Sequence, residues 1–140
     1  NAGFELSEYW MPGLGGRELS ENHALNTAGI LNEINPHYIR SRPFRALPGT
    51  ELQTLLDKNE FRVLTPKEQL LELKQMVSAL ELTSRVCFDH NGNFWKNSRG
   101  GLLLSQGYEG YKFPEEKQML LDLIEEGLTV KNRIPVFGGM

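Results

Sequence analysis

The chain has 140 residues, of which 39% are hydrophobic and 24% are charged, a balance typical of one globular domain with its own core. Its formal net charge is −3 and it has no Lys/Arg cluster, which argues against the basic surface used to bind nucleic acid. No apolar run approaches the length of a bilayer span, so we expect no membrane partner. Cys87 is the single cysteine, which excludes an internal disulfide and favours a reducing, cytoplasmic location.

The two ends of the chain look different from the rest. Asn1 and Ala2 resemble the remnant of a cleaved tag, although a naturally processed terminus is an alternative. We expect residues 3–130 to be part of a longer protein, because a strand-like run follows at once. Residues 131–140 are expected to form a weakly specified tail.

The first half of the chain alternates strands with helices. Residues 4–11 are rich in aromatic side chains and predict a strand. Ser20 is the predicted N-cap of a helix that runs to about Ile34, before Pro36. Residues 37–44 predict a second strand. The expected buried stripe of the helix consists of Ala24, Thr27, Ala28, Leu31 and Ile34.

The second half begins with two predicted helices. Thr50 and Gln53 resemble a capping box for a short helix through residue 56. Thr65, Pro66 and Glu68 predict a clearer helix start, followed by an apolar stripe of Leu70, Leu73, Val77 and Leu80. Residues 82–88 predict a third strand, and residues 89–111 predict a long loop. A last helix is expected from Pro114, with Leu120, Leu121, Ile124 and Leu128 buried.

This order of elements predicts an α/β fold with about three mainly parallel strands flanked by helices. The helical connections are long enough to join parallel neighbours. Three strands are too few for a complete barrel, so the pattern indicates a partial (β/α) barrel.

Three glycines follow the first predicted strand, at positions 13, 15 and 16. Ligands of parallel α/β sheets bind at the carboxyl ends of strands, and glycine lets backbone groups approach a ligand closely. The segment is neither a P-loop nor a dinucleotide fingerprint, because it lacks the lysine of the former and the acidic partner of the latter. A tight turn that merely requires positive φ angles explains the glycines equally well.

The ordered set of short motifs resembles the C-terminal half of a radical S-adenosylmethionine (radical SAM) domain. The run from Tyr9 to Leu52 contains "PGLGG" and "LPGTEL" at the spacing of the oxygen-independent coproporphyrinogen oxidase-like and elongator-acetyltransferase-like Fe–S oxidoreductases. "LTSRVCFDHNGNFW", residues 82–95, resembles the end of this domain in a subgroup of bacterial members.

The resemblance implies an incomplete (β/α)₆ barrel in which residues 4–11 and 38–44 are the fifth and sixth strands. A 4Fe–4S cluster on a CxxxCxxC loop would bind S-adenosylmethionine and cleave it to a radical that abstracts hydrogen from the substrate. Carried onto this chain, the family's adenine contacts fall at Met11, Gly13 and Leu14, and Gly15 belongs to the same turn. CxxxCxxC is missing here, so we expect no cofactor in this chain alone and no activity without the half that carries it.

Other residues were weighed for chemistry, and none is assigned as catalytic. Arg40 and Arg42 share one strand face and could bind a carboxylate or phosphate of cofactor or substrate. Solvated arginines, or arginines paired with nearby glutamates, are the alternative. Cys87 is expected to be a buried core thiol. Asp89, His90 and Asn93 are expected to stabilise a loop, as an Asx turn does.

Two functions therefore remain open. The chain could be the half of a radical SAM oxidoreductase that faces adenosine and substrate, with the missing N-terminal half as its partner and an unknown substrate. It could instead be a cluster-free α/β module that binds a nucleotide or a protein. A severed barrel would expose a strand edge, so the first function also predicts self-association.

Overall fold

A four-stranded sheet and four helices make up the computed structural model of the chain, which describes residues 3–130. The predicted tag remnant and the predicted tail lie outside the described residues. The strands are β1 (Ser7–Trp10), β2 (Tyr38–Ser41), β3 (Arg85–Cys87) and β4 (Tyr111–Lys112). The helices are α1 (Ser20–Ile34), α2 (Glu51–Asp57), α3 (Pro66–Ala79) and α4 (Lys117–Thr129).

The strands lie in the order β1-β2-β3-β4, and three of them are parallel. β1 pairs with β2 in the register Ser7 to Tyr38, and β2 pairs with β3 in the register Tyr38 to Arg85. β4 pairs with β3 in the antiparallel sense, with Lys112 opposite Arg85. The predicted α/β class with a mainly parallel sheet is therefore confirmed, and the number of strands is four.

The two faces of the sheet differ. Trp10, Ile39 and Val86 point to one face, where they join a continuous core with the buried sides of α1, α3 and α4. The other face carries the alternate strand residues Tyr9, Arg40 and Cys87, which are register partners of one another. We call the first the helix face and the second the open face, because among residues 3–130 no helix of the main core packs on the second. Tyr38 and Cys87 on the open face are buried but lie outside that core.

The starts of α2 and α3 follow the predicted caps, whereas Ser20, the predicted N-cap of α1, is the first residue of that helix. Leu19 occupies the N-cap position of α1 and makes no side-chain hydrogen bond there. The Thr65 side chain accepts a hydrogen bond from the Glu68 backbone, and the Glu68 side chain accepts one from the Thr65 backbone, which completes a capping box. Thr50 also caps α2, but the Gln53 side chain donates to Asp57 instead of returning to the cap, so only half of the second box forms. Among residues 3–130 no helix is long and apolar enough to cross a membrane.

Several sequence predictions need correction. Ile34 is 43% exposed, because it ends α1 just before Asn35 turns into the left-handed region at φ 45°. Thr27, Leu121 and Leu128, each predicted as buried, are only partly buried. The last helix begins at Lys117, since the residues from Pro114 to Glu116 form a turn. β1, β2 and β3 are each shorter than predicted. The predicted loop 89–111 ends at β4, a strand that the sequence did not predict.

Candidate functional site

The glycine turn, residues 12–16, follows β1 at the carboxyl edge of the sheet. Within it the Leu14 N–H donates to the Met11 carbonyl at 3.2 Å, and the Gly16 N–H donates to the Gly13 carbonyl at 3.0 Å. Its neighbour is the segment after β2, because the Phe44 N–H donates to the Pro12 carbonyl at 2.7 Å. The turn and residues 42–44 therefore lie side by side at the edge where parallel sheets bind ligands.

The buried carboxylate of Glu72 holds the glycine turn against α3. Glu72 of α3 is 0% exposed, and its Oε1 accepts the Gly13 N–H at 2.8 Å. Its Oε2 accepts the Ser20 hydroxyl at 2.7 Å, at the first residue of α1. Both oxygens are thus satisfied, which a buried carboxylate requires to be tolerated. One side chain of α3 ties together the turn and the start of α1.

Close packing accounts for two of the glycines. Gly16 has φ 67°, and a Cβ there would lie 2.8 Å from the Phe61 ring and 3.2 Å from the Arg62 carbonyl. A Cβ on Gly15 would lie 3.0 Å from the Leu19 carbonyl and 3.1 Å from the Cβ of His23. Only glycine fits such approaches without a shift of the backbone. The tight-turn reading of the sequence therefore has direct structural support.

The predicted adenine-contact residues occupy different environments within this turn. The Met11 carbonyl already contacts Nε2 of His23 at 2.9 Å, and the Gly13 N–H is taken by Glu72. The side chains of Met11 and Leu14 are both more than a third exposed. Among residues 3–130, no hydrogen bond uses the Leu14 carbonyl or the Gly15 N–H. The N–H and the carbonyl of this peptide group are therefore both available to a ligand.

Arg40 lies on the open face in a cage of aromatic and acidic groups. Its guanidinium carbon stands 4.0 Å from the centre of the Tyr108 ring and 4.7 Å from that of the Tyr38 ring. Its Nη1 pairs with Asp89 at 3.1 Å and donates to the Tyr108 carbonyl at 3.2 Å. Nη2 is buried without a hydrogen-bond partner among the described residues. The side chain is 8% exposed, so a ligand reaches it only when the Tyr108 segment moves.

Arg42 differs from Arg40 although both share the open face. It is exposed, and its guanidinium carbon lies 4.6 Å from the centre of the Tyr9 ring. Its backbone N–H donates to the Trp10 carbonyl at 2.9 Å, which extends the pairing of β1 with β2 to the carboxyl edge. Of the two predicted arginines, Arg42 is the one placed beside the glycine turn with its charge in contact with solvent.

Cys87 is the buried thiol that the sequence predicts. It is 0% exposed, and its Sγ contacts the Tyr108 carbonyl at 3.4 Å. Burial raises the pKa of the thiol to about 11, although the nearby Arg40 charge opposes this shift. A thiol with this pKa is protonated at neutral pH and is therefore a poor nucleophile and metal ligand.

Asn93 links the loop after β3 to the end of β2, as expected of a loop-stabilising residue. Its Oδ1 accepts the Ser41 hydroxyl at 2.9 Å, and its Nδ2 donates to the carbonyls of Ser41 and His90. Nδ1 of His90 is buried without a partner among the described residues. Within the described part of the chain, no three His, Cys, Asp or Glu side chains come together as a metal site.

Sequence reasoning missed Glu72, and it missed that Asp89 and Tyr108 are the partners of Arg40. Glu72 interrupts the apolar stripe of α3, and a carboxylate within a buried stripe is the signal that could have identified it. Asp89 and Tyr108 meet Arg40 from 49 and 68 residues away, so no local pattern reports them.

No protein-family model matches the chain, and neither a curated protein nor a solved structure matches it.

Proposed function

We propose that the chain is the part of a radical SAM Fe–S oxidoreductase that faces adenosine and substrate. The proposal combines the sequence resemblance with the arrangement of the sheet. β1 and β2 are parallel neighbours joined through α1, and β2 and β3 are parallel neighbours joined through α2 and α3. Repeated parallel units with helices on one face are the building blocks of a (β/α) barrel, whose helix-free face points inward.

One observation carries the proposal furthest: the glycine turn stands at the carboxyl edge beside the residues that follow β2. Enzymes with (β/α) barrels build their active sites at this edge. On the open face, the exposed Arg42 supplies positive charge for a carboxylate or phosphate, whereas Arg40 is 8% exposed and already paired with Asp89. Tyr9 and Tyr108 add exposed aromatic surface on the same side.

The residues present fit S-adenosylmethionine in part and do not fit the cluster. The Leu14 carbonyl and the Gly15 N–H point in opposite directions, so either one can form a single hydrogen bond with the polar edge of a purine, and Leu14 offers exposed apolar surface beside it. A 4Fe–4S cluster needs several thiolates, whereas Cys87 is single, buried and protonated. Under this proposal the cluster, which would supply the electron for radical formation, belongs to another part of a longer parent protein.

Nuclear magnetic resonance tests the adenosine contact directly. We expect 5′-methylthioadenosine to shift the amide resonances of Leu14, Gly15 and Gly16, because the purine edge replaces water at this peptide group. Guanosine is the matched control, since its purine edge carries a different donor and acceptor pattern. Unchanged resonances in the turn, or equal shifts with guanosine, would contradict the assignment of this turn to adenosine.

The coding sequence of the parent protein gives a second test. The proposal requires a CxxxCxxC motif upstream of the segment that corresponds to residue 3. Adenosine binding by a parent without this motif would instead favour the alternative, a cluster-free α/β module that binds nucleotides.

The proposal also predicts a partner for β1. The carbonyls of Leu6 and Trp10 both accept hydrogen bonds from the β2 side, so the backbone of Ser7 and Tyr9 faces away from the sheet. This edge has no strand beside it among residues 3–130. Phe4 and Tyr9 next to it are 82% and 58% exposed. We infer that the missing N-terminal half covers the edge in the parent, and that isolated chains associate through it.

A further inference from the structure

A polar depression lies at the opposite end of the sheet from the glycine turn. It has a volume of about 320 Å³ and is formed where β2 and β3 begin and β4 ends. Its lining comprises Glu5, Asn35, Pro36, His37, Tyr38, Thr83, Arg85 and Lys112. Nothing in the proposed function uses this end of the sheet, so the depression calls for a separate explanation.

Two cations stand side by side in the depression because of the strand register. Arg85 on β3 and Lys112 on β4 are direct cross-strand partners, and their side chains therefore share one face of the sheet. Both side chains are about one-third exposed, at 37% and 35%. Like charges directly opposite each other on a sheet repel. The exposed carboxylates of Glu109, 3.3 Å from Arg85, and Glu115, 4.0 Å from Lys112, offset this repulsion only weakly, and an anion between the two cations would offset it further.

Both cations keep hydrogen-bond capacity for a ligand. Lys112 Nζ donates to the carbonyls of Thr83 and Phe113, which uses two of its three hydrogens and fixes the ammonium at the rim. Arg85 pairs through Nε with the Glu109 carboxylate at 3.3 Å and donates through Nη1 to the Glu109 carbonyl at 3.4 Å. These contacts are long and exposed, and no hydrogen bond within residues 3–130 uses Nη2.

His37 adds a third donor with a defined tautomer. The Leu6 N–H donates to Nδ1 of His37 at 2.9 Å, so Nδ1 is an acceptor and the neutral ring carries its hydrogen on Nε2. Glu5 is the only carboxylate in the lining. No hydrogen bond or ion pair of the described residues uses the Glu5 side chain, so it contributes negative charge without a structural role.

We propose that this depression binds the phosphate group of a small phosphorylated molecule. Arg85 of β3, Lys112 of β4 and His37, which directly precedes β2, all line the depression. Three donors from different parts of the chain suit the tetrahedral oxygens of a phosphate better than the two coplanar oxygens of a carboxylate. The volume is about ten times the share of one liquid water, so it accommodates a phosphate together with part of the group that carries it.

The experiment is a titration of the isotope-labelled full chain with inorganic phosphate, followed by NMR at constant ionic strength. We expect saturable shifts at the amides of Thr83, Arg85 and Lys112. Acetate is the comparison ligand and should bind about tenfold more weakly, because it offers fewer acceptor oxygens and less charge. Equal binding of acetate and phosphate, or shifts that follow chloride equally, would overturn the proposal.

Variants separate a built site from general positive charge. Arg85→Gln and Lys112→Gln should each weaken phosphate binding about tenfold, the effect of one charge-assisted hydrogen bond. Lys67→Gln removes the same charge from the first turn of α3. That turn lies about 20 Å along the helix axis from the end that leads to Thr83, so this variant should leave the affinity unchanged. Phosphate binding that is unaffected by both site variants would refute the assignment.

Glu5→Gln gives a test in the opposite direction, because it removes a charge without removing a contact of the fold. It should tighten phosphate binding about two- to threefold by relieving repulsion of the anion. Unchanged or weaker binding in Glu5→Gln, with the fold intact by its amide spectrum, would count against a phosphate bound beside Glu5. None of these tests involves adenosine or a cluster, so their outcome is independent of the proposed function.

Discussion

The helix face and the open face of the sheet are built from alternate residues of the same strands, yet different forces stabilise them. On the helix face, Trp10, Ile39 and Val86 are held by burial against three helices. On the open face, Arg40 is held by two tyrosine rings and by Asp89. The comparison teaches that apolar burial stabilises one face, whereas ring contacts and an ion pair stabilise the other.

Truncations on the two faces should give the largest contrast. Ile39→Ala should lower the free energy of unfolding by about 2–5 kcal/mol, because it leaves a cavity in the core. Tyr9→Ala removes an exposed ring whose stacking on Arg42 contributes about 0.5–1 kcal/mol. Urea denaturation of both variants measures the difference. Equal losses would mean that the open face also carries the stability of the fold.

Glu72 is a buried polar side chain of α3, and its variants test how much its hydrogen bonds to the glycine turn and to Ser20 stabilise the fold. Glu72→Gln keeps one acceptor oxygen but replaces the other by an amide that cannot accept, at a cost of about 1–3 kcal/mol in the free energy of unfolding. Ser20→Ala removes only the hydroxyl partner and should cost less. Thermal denaturation orders the two variants, and a stability unchanged in Glu72→Gln would contradict the clamp.

The exposed edge of β1 should be sensitive to a proline that leaves the helix face intact. Ser7→Pro removes an N–H that faces away from β2, so it should block pairing between chains with a loss of stability near 1 kcal/mol at most. Light scattering at high concentration should show association of the original chain and a monomeric Ser7→Pro variant. A monomeric original chain would remove the reason to propose a missing neighbour for β1.

The last contrast concerns the pH dependence of stability at Cys87 on the open face. Its thiol has a pKa of about 11 in the folded chain and an ordinary value of 9.0 when exposed. Between these values the unfolded thiol loses its proton while the folded thiol keeps it, so stability falls as pH rises. Cys87→Ala lacks this contribution and should show a shallower decline across that window in urea denaturation. Parallel curves would mean that the thiol is accessible in the folded chain.

The parts of the fold that the sequence predicted well are those set by local chemistry. The Thr65 capping box and the helix stripes depend on residues three or four positions apart, and the structure confirms the box and most of the stripes. β4 was not predicted because it has only two residues, and it is a strand only through its pairing with β3. Ile34 was placed in the core because helical spacing does not report where a packed neighbour ends.

The candidate site was predictable only in part, because its contacts join distant segments. Glycine at positions 13 and 16 could be read as a turn with positive φ, and both residues adopt it. That Glu72 would occupy the Gly13 N–H depends on how α3 packs, 59 residues later in the chain. Arg40 was correctly placed on the face shared with Arg42, but its partners became known only from the fold.

The carbonyl of Tyr108 contacts both the Arg40 guanidinium and the Cys87 sulfur. Any motion that releases the arginine by lifting this segment must therefore also uncover the sulfur. The single thiol is consequently a native reporter of segment opening: its alkylation rate, compared with that of a free thiol, counts the fraction of time for which the arginine is accessible. Alkylation of Cys87 would therefore report how often Arg40 on the open face is accessible to an anion.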